Sequence, residues 1–133
     1  WNIDGSGNIL RDVLRQIKSL QLGDLVRVDW YDASIGKSIG GGSIDVPVKS
    51  WGIYLGVLGE KNKHIVLAQN GFKYSNGIWD VDFTSIPLSW AVTISVLAKN
   101  EVKSEEAQSL LQSFLLGRAR TLKRRTKNHE RHD

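Results

Sequence analysis

Five short segments between residues 26 and 96 carry apolar side chains at every second position, and this alternation constrains the fold more than any other feature. A period of two is typical of β-strands that bury one face. Polar turns separate the segments, and Asn76-Gly77 is a strong hairpin signal. Pro87 predicts a corner before the last segment, because proline cannot donate to a strand ladder. About 75 residues of closely spaced strands predict a small closed barrel rather than a sandwich.

Amphipathic segments flank the predicted strands. Residues 9–20 have helical apolar spacing, and Gly23 ends that helix. A second helix is predicted to begin at Ser104 and to continue through Gly117, because Leu122 extends its apolar stripe by a heptad. The fold class is therefore mainly β with flanking helices: a five-stranded small barrel with an N-terminal helix and a basic C-terminal helix. Its predicted division is a disordered or non-native start over residues 1–7, a helix and barrel over 8–100, and a helix and basic tail over 101–133.

The composition excludes several classes of function. The chain has 133 residues and no cysteine, which excludes disulfides, thiolate metal sites and cysteine nucleophiles. It has no run of about 18 apolar residues of the kind that spans a membrane. A cytoplasmic location is therefore expected. The absence of both cysteine and methionine, together with many charged residues, suits a thermophilic source.

The net charge of +4 is distributed unevenly. Residues 118–133 carry seven basic and two acidic residues, a net +5, whereas the rest of the chain carries 11 basic and 12 acidic residues, a net −1. A nearly neutral body with a basic end is typical of proteins that bind polyanions, although a solvated, disordered end has the same composition. The predicted phosphate-binding residues of this tail are Arg118, Arg120, Lys123, Arg124, Arg125 and Lys127.

Aromatic residues predict where nucleic-acid bases would stack. The tryptophans of the strands, Trp30, Trp51, Trp79 and Trp90, fall in the apolar set of each strand and are expected in the core. Tyr31 and Tyr54 fall instead in the polar set near Arg27, and Phe72 and Tyr74 flank Lys73. Outward aromatics beside cations are what single-stranded nucleic acid uses. The predicted interface therefore includes Arg27, Tyr31, Tyr54 and Lys73, with ordinary surface tyrosines as the alternative.

The stretch "DASIGKSIGGGS" at residues 32–43 looks like a phosphate-binding loop but lacks its requirements. The glycine that such a loop needs five residues before Gly36 is Tyr31 here, and the following "IGGGSIDVPV" cannot form the required helix. The stretch is predicted to be a long loop between two strands. Lys37 and Lys49 remain minor candidates for contacts with a nucleic-acid backbone.

Catalytic and metal-binding patterns are sparse. Asp80 and Asp82 share one strand face, where two carboxylates can act together, but the pattern is typical of a solvated face. His64 is expected at the surface. His129 and His132 have a spacing that can chelate a metal, yet terminal segments are usually mobile. Neither a metal nor a cofactor is predicted.

Three segments resemble the strands of small β-barrels of the SH3-like or Sm-like kind: "LGDLVRVDWYD", "WGIYLGVLGEKNKHIVLAQN" and "TSIPLSWAVTISVL". The leading helix is similar to the Sm-like plan, and the Ile-Pro corner is similar to the SH3-like one. Sm-like proteins bind RNA through an Asp and an Asn in one turn and an Arg-Gly before the last strand. Asn62 has a counterpart in that turn, but no Arg-Gly precedes Trp90. The resemblance thus implies the barrel over about residues 8–98 without that family's uridine site. The whole chain also resembles an archaeal protein.

"GDLVRV" followed by "SWGIYLG" resembles the permuted papain-like hydrolases, which have a histidine just before that tryptophan. Here the position is Ser50, and the chain has no cysteine to supply the thiolate. Papain-like chemistry is therefore not available to this chain.

Together these patterns predict a nucleic-acid-binding protein without catalytic activity, with RNA or a ribonucleoprotein favoured over DNA. One alternative is a protein–protein interaction module that binds a peptide at a sheet edge or an aromatic groove. Another is a metal-dependent hydrolase that uses Asp80 and Asp82. The sequence leaves the oligomeric state open.

Overall fold

The structure is a computed structural model that describes residues 3–32 and 45–131, with side chains described for residues 7–32 and 45–117. The glycine-rich loop with Lys37 therefore lies outside the described residues. The elements follow one another as α1 (Ile3–Lys18), β1 (Leu25–Asp32), β2 (Val46–Leu58), β3 (His64–Lys73), β4 (Trp79–Pro87), a short 3₁₀ helix (Leu88–Trp90), β5 (Ala91–Ala98) and α2 (Ser104–Arg131). The mainly β architecture with two flanking helices is confirmed. Because α1 begins at Ile3, the predicted disordered start contributes residues 3–7 to this helix.

The five strands form one open antiparallel sheet in the order β4-β3-β2-β1-β5. The prediction of a closed barrel is therefore wrong for the described residues, in which β4 and β5 are the two edges. Helix α1 contacts one of these edges, β5. Gln16 of α1 accepts a hydrogen bond at 2.8 Å from the backbone N–H of Ile94, so the helix satisfies a donor of β5. Edge donors that a helix satisfies no longer need a neighbouring strand.

Each face of the sheet is covered in part by one helix. On the α1 face, Val13 packs with side chains from all five strands, including Val28, Tyr54, Leu67 and Ile94. On the α2 face, Leu110 packs with side chains from β2, β3 and β4, namely Leu55, Val66, Ala68 and Val81. The sheet therefore separates two apolar clusters. Neither helix of the described chain has an apolar stretch long enough to cross a membrane.

The sheet bulges in β2, which changes the face that later residues occupy. The pairing of β2 with β3 shifts between Tyr54 and Gly56, and Gly56 has a φ of 124°. An extra residue at a bulge reverses the alternation beyond it. Consequently Ile53 packs in the cluster under α2, whereas Val57 packs in the cluster under α1.

The predicted hairpin at Asn76-Gly77 is confirmed. It joins β3 to β4, Gly77 has a φ of 86°, and its N–H donates to the Tyr74 carbonyl at 2.9 Å. The Asn76 side chain accepts a hydrogen bond from the N–H of Ile78 at 3.1 Å, which closes the turn.

Candidate nucleic-acid interface

Helix α2 joins a packed segment to the basic segment without a break. Its first turns lie on the sheet through Ala107, Leu110 and Phe114, and Ser113 donates to the Trp79 carbonyl at 3.0 Å. The helix then continues through Gly117 to Arg131, as the apolar spacing predicts. Its 28 residues extend about 42 Å at 1.5 Å per residue. The basic segment thus continues a helix that is anchored on the sheet.

The basic positions of α2 are not spread evenly around the helix. Residues at intervals of three, four, seven and eleven share one side of a helix. Five of the basic residues have this spacing: Arg120, Lys123, Arg124, Lys127 and Arg131. Arg118 and Arg125 fall on the opposite side, in line with the apolar stripe of residues 107, 110, 111 and 114. We call the set of five the basic side of α2.

The α2 face of the sheet has a second candidate surface, because α2 does not cover its β1 and β5 half. Arg27 of β1 lies directly opposite Trp51 of β2 and Ser95 of β5 in the strand pairing, so the three share one row. Trp51 is 53% exposed and Tyr31, on the same side of β1, is 47% exposed. Lys49 lies two residues before Trp51 on the same side. We call Arg27, Tyr31, Lys49 and Trp51 the open sheet face.

Asp29 organises the cations of the open sheet face. Its carboxylate lies 3.3 Å from the Arg27 guanidinium and 3.9 Å from the Lys49 ammonium. Arg27 also donates to the Ser95 hydroxyl at 3.4 Å. Two cations and one anion leave this group with a net charge of +1. Arg27 therefore lies where the sequence predicts it, but a carboxylate and a hydroxyl already hold its guanidinium.

Tyr54, predicted as an outward stacking residue, is instead buried, with 5% of its surface exposed. It packs in the cluster under α1, and the prediction is wrong because β2 is covered on both faces at this point. Burial raises the pKa of its hydroxyl, and the negative charge of Asp24 raises it further. Tyr54 is thus a neutral core residue that cannot reach a ligand.

Trp51, predicted in the core, is the exposed aromatic that the sequence pattern misses. The other three tryptophans of the strands pack as predicted: Trp30 stacks on Trp90 with ring centroids 6.2 Å apart, and Trp79 packs in the cluster under α2. Trp51 differs because α2 packs over Ile53 and Leu55 but leaves it uncovered. The direct cross-strand neighbour of Trp51 is Arg27, and a charged neighbour of this kind indicates an exposed position.

The hairpin between β3 and β4 presents the remaining predicted residue. The Lys73 ammonium lies over the Trp79 ring, 5.6 Å from its centroid, in a cation–π contact. Phe72 and Tyr74 beside it are 64% and 55% exposed. Lys73 and Tyr31 thus lie at the surface as predicted, but on separate parts of the sheet.

Ser50, Asp80 and Asp82 each accept a hydrogen bond from a neighbouring side chain. Ser50, at the histidine position of the papain-like motif, is 8% exposed and accepts a hydrogen bond from the Trp30 indole at 3.0 Å. Asp80 accepts from the Tyr74 hydroxyl at 3.4 Å, and Asp82 accepts from the Asn70 amide at 3.3 Å.

Metal binding gains no support from the described side chains, among which no three His, Asp or Glu residues are grouped to hold an ion. His132 lies outside the described residues, and the side chain of His129 is not described. His64 is half-buried, and its Nδ1 lies 3.0 Å from the Asn62 carbonyl.

The function must be inferred from these residues and their geometry. No model of a known protein family matches the chain, and no curated protein is significantly similar to it.

Proposed function

We propose that this protein binds nucleic acid, RNA or a ribonucleoprotein in preference to DNA, and that it catalyses no reaction. The basic side of α2 carries the proposal: five cationic positions share one side of a helix whose other end is anchored on the sheet. Lysine and arginine neutralise phosphates and release the counterions bound to them, a term that supplies most of the affinity for any sequence. The SH3-like or Sm-like relationship is part of this proposal, supported by β1 lying beside β5.

The helix adds a geometric requirement to this charge. On a continuous helix the five positions span 11 residues, or roughly 16 Å, and follow one line. Five phosphate contacts would give a slope of log affinity against log salt of roughly −3.5 on a single strand and −4.5 on a duplex. A disordered tail with the same composition would use all seven cations equally.

A matched pair of double variants separates these two cases. Arg120→Gln with Arg124→Gln removes two charges from the basic side, and Arg118→Gln with Arg125→Gln removes two arginines from the opposite side. Binding of labelled oligonucleotides is measured by fluorescence anisotropy across a series of salt concentrations. We expect the first variant to flatten the slope by about 1.4 on a single strand and the second to change it by less than half as much. Equal slopes for both variants and the wild type would refute the proposal.

The exposed hairpin favours a second candidate function, a protein–protein interaction module. Phe72, Tyr74 and Ile78 are each more than half exposed at one end of the sheet, and large exposed apolar side chains in a group are typical of contact sites. A partner captured from nuclease-treated extract, and lost with Phe72→Ser and Ile78→Ser together, would support this function.

A further inference from the structure

Trp51 lies in an unusual position for a large aromatic residue. It belongs to β2, the middle strand of the sheet, and yet 53% of its surface is exposed. Tryptophans on a central strand are normally covered, because their burial contributes more than that of any other side chain. Gln69 of β3 donates to the Trp51 carbonyl at 3.1 Å, so a cross-strand bond fixes the backbone that carries the indole. The ring is thus both available and held on a rigid element.

Positive charge lies next to this ring on two sides. Arg27 is its direct neighbour across the strand pair, and Lys49 is the next residue on the same side of β2. The Lys49 side chain is 62% exposed, and the Lys49–Asp29 distance of 3.9 Å is long for an ion pair. Lys49 can therefore turn toward a phosphate with little loss. A ring flanked by cations is the arrangement that binds a base and its adjoining phosphates together.

A small cavity lies further along β2, between the sheet and the first turns of α2, and Trp51 does not line it. It has a volume of about 180 Å³ and is bounded by Ile53, the residue two places after Trp51 in β2. Leu110 contributes apolar surface, while Gln69, Asn70 and Glu106 contribute amide and carboxylate groups at its rim.

We propose that Trp51 is the stacking site for an unpaired base of a single-stranded nucleic acid, with Lys49 at a flanking phosphate and Arg27, paired with Asp29, beside the ring. The inference rests on the proposed nucleic-acid binding and adds to it the strand type and the place of one base. A duplex cannot use this site, because its bases are already stacked and paired inside the helix. Tyr31 is one strand spacing and four residues away from Trp51 on the open sheet face, a distance of roughly 14 Å. It offers a second ring to the same single-stranded nucleic acid.

The test compares substitutions at two exposed apolar side chains, Trp51 on the sheet and Leu14 on α1. Trp51→Leu removes the ring but keeps an apolar side chain, Trp51→Phe keeps an aromatic ring, and Leu14→Ala is the control at an exposed apolar side chain of α1. Each full-length variant is titrated with 12-nucleotide oligouridylate, oligothymidylate and a hairpin duplex, and its fold is checked by thermal unfolding. We expect Trp51→Leu to weaken single-strand binding about five- to 150-fold. Trp51→Phe should recover most of this loss, and Leu14→Ala should change binding less than twofold. Duplex binding and the salt slope should not change, because no charge is lost.

The binding results distinguish a failure of the Trp51 stacking site from a failure of nucleic-acid binding as a whole. If the wild type binds both ligands and Trp51→Leu weakens neither, or weakens duplex equally, the stacking site is refuted while the role of α2 stands. If the wild type binds no oligonucleotide, the proposed function itself fails. Lys49→Gln provides a second test of the site in case Trp51→Leu does not fold, because it leaves the core intact. It should weaken single-strand binding two- to fivefold and flatten the slope of log affinity against log salt by about 0.7. No effect of Lys49→Gln would place the phosphates elsewhere and contradict the site.

Discussion

Asp24 and Lys99, separated by 75 residues in the chain, form an ion pair with 2.9 Å between Oδ2 and Nζ. Asp24 is fully buried at the start of β1, and its carboxylate also accepts hydrogen bonds from the backbone N–H groups of Gln21 and Asn100. The Lys99 ammonium also donates a hydrogen bond to the Ser19 carbonyl at 2.8 Å. One carboxylate thus joins the chain after α1 to the turn between β5 and α2.

Gly23 reinforces this junction through its backbone. Its N–H donates to the Tyr54 carbonyl and its carbonyl accepts from the N–H of Val102, each at 3.0 Å. Gly23 has a φ of 99°, and a Cβ there would collide with the Val102 carbonyl. The junction therefore fixes the chain just before α2 to the segment before β1 and to β2.

Asp24→Ala is expected to destabilise the protein by about 3 kcal/mol, because two buried N–H donors lose their charged acceptor. Lys99→Ala should cost less, about 1 kcal/mol, because the backbone donors still satisfy the carboxylate. Urea unfolding followed by tryptophan fluorescence measures both values. A larger loss for Lys99→Ala than for Asp24→Ala would contradict the assigned role of the carboxylate.

The protein should become less stable in acid, because the Asp24 carboxylate becomes protonated. Burial alone would raise the pKa of Asp24, but hydrogen bonds from Asn100, Lys99 and Gln21 outweigh it and lower the pKa below the ordinary value of 3.8. A folded-state pKa below that of the unfolded chain gives stability that is present above the unfolded value. That stability is lost as pH falls toward and through the folded value. Unfolding free energies of the wild type and Asp24→Asn, measured between pH 7 and pH 2, should converge below pH 3.8. A constant difference across this range would show that the charge of Asp24 does not contribute.

Periodicity predicted the elements well wherever one face of a strand is polar. In β4, Trp79, Val81 and Phe83 pack under α2 while Asp80 and Asp82 are exposed, as the alternation indicates. The same rule fails in β2, where Ile53, Tyr54 and Leu55 are consecutive and all lie in or against a core. A strand covered on both faces and interrupted by a bulge has no alternation to read.

The sequence predicts the basic side of α2, but it does not predict the exposure of Trp51. The run of basic residues after Gly117 and the helical spacing of Leu115 and Leu122 together predict a basic helix. Exposure of Trp51 depends instead on where α2 crosses the sheet, which is a tertiary relationship. Whether the sheet closes into a barrel is equally tertiary, since it depends on how β4 and β5 lie relative to each other.

Ser50 and Trp51 are adjacent in β2, but their substitution should change different properties: stability for Ser50 and oligonucleotide affinity for Trp51. Ser50→Ala leaves the Trp30 indole N–H without its acceptor in the core. The expected cost is about 1–3 kcal/mol of stability, with no change in oligonucleotide affinity. Ser95→Ala is the matched control, because its hydroxyl is half-buried and bonds at 3.4 Å; it should cost less than 1 kcal/mol. Loss of nucleic-acid affinity in a correctly folded Ser50→Ala variant would instead give this hydroxyl a role in binding.

Gly117 links the packed and basic parts of α2, and its replacement tests whether the helix matters for binding. A Cβ at this position would meet no atom within 4 Å. Alanine in a helix interior is favoured over glycine by about 1 kcal/mol. Gly117→Ala should therefore raise the helix content measured by circular dichroism. It should also tighten oligonucleotide binding by up to about fivefold, the ratio that 1 kcal/mol sets.

Gly7→Ala provides the control for Gly117→Ala, because Gly7 is an equally unobstructed glycine in α1. It should stabilise its own helix by a similar amount and leave binding unchanged. If Gly117→Ala raises the helix content without changing affinity, the basic residues bind phosphate as an unstructured tail. The single-sided arrangement of Arg120, Lys123, Arg124, Lys127 and Arg131 would then have no part in recognition. A gain in affinity confined to Gly117→Ala would show that helical order presents these cations to the phosphates.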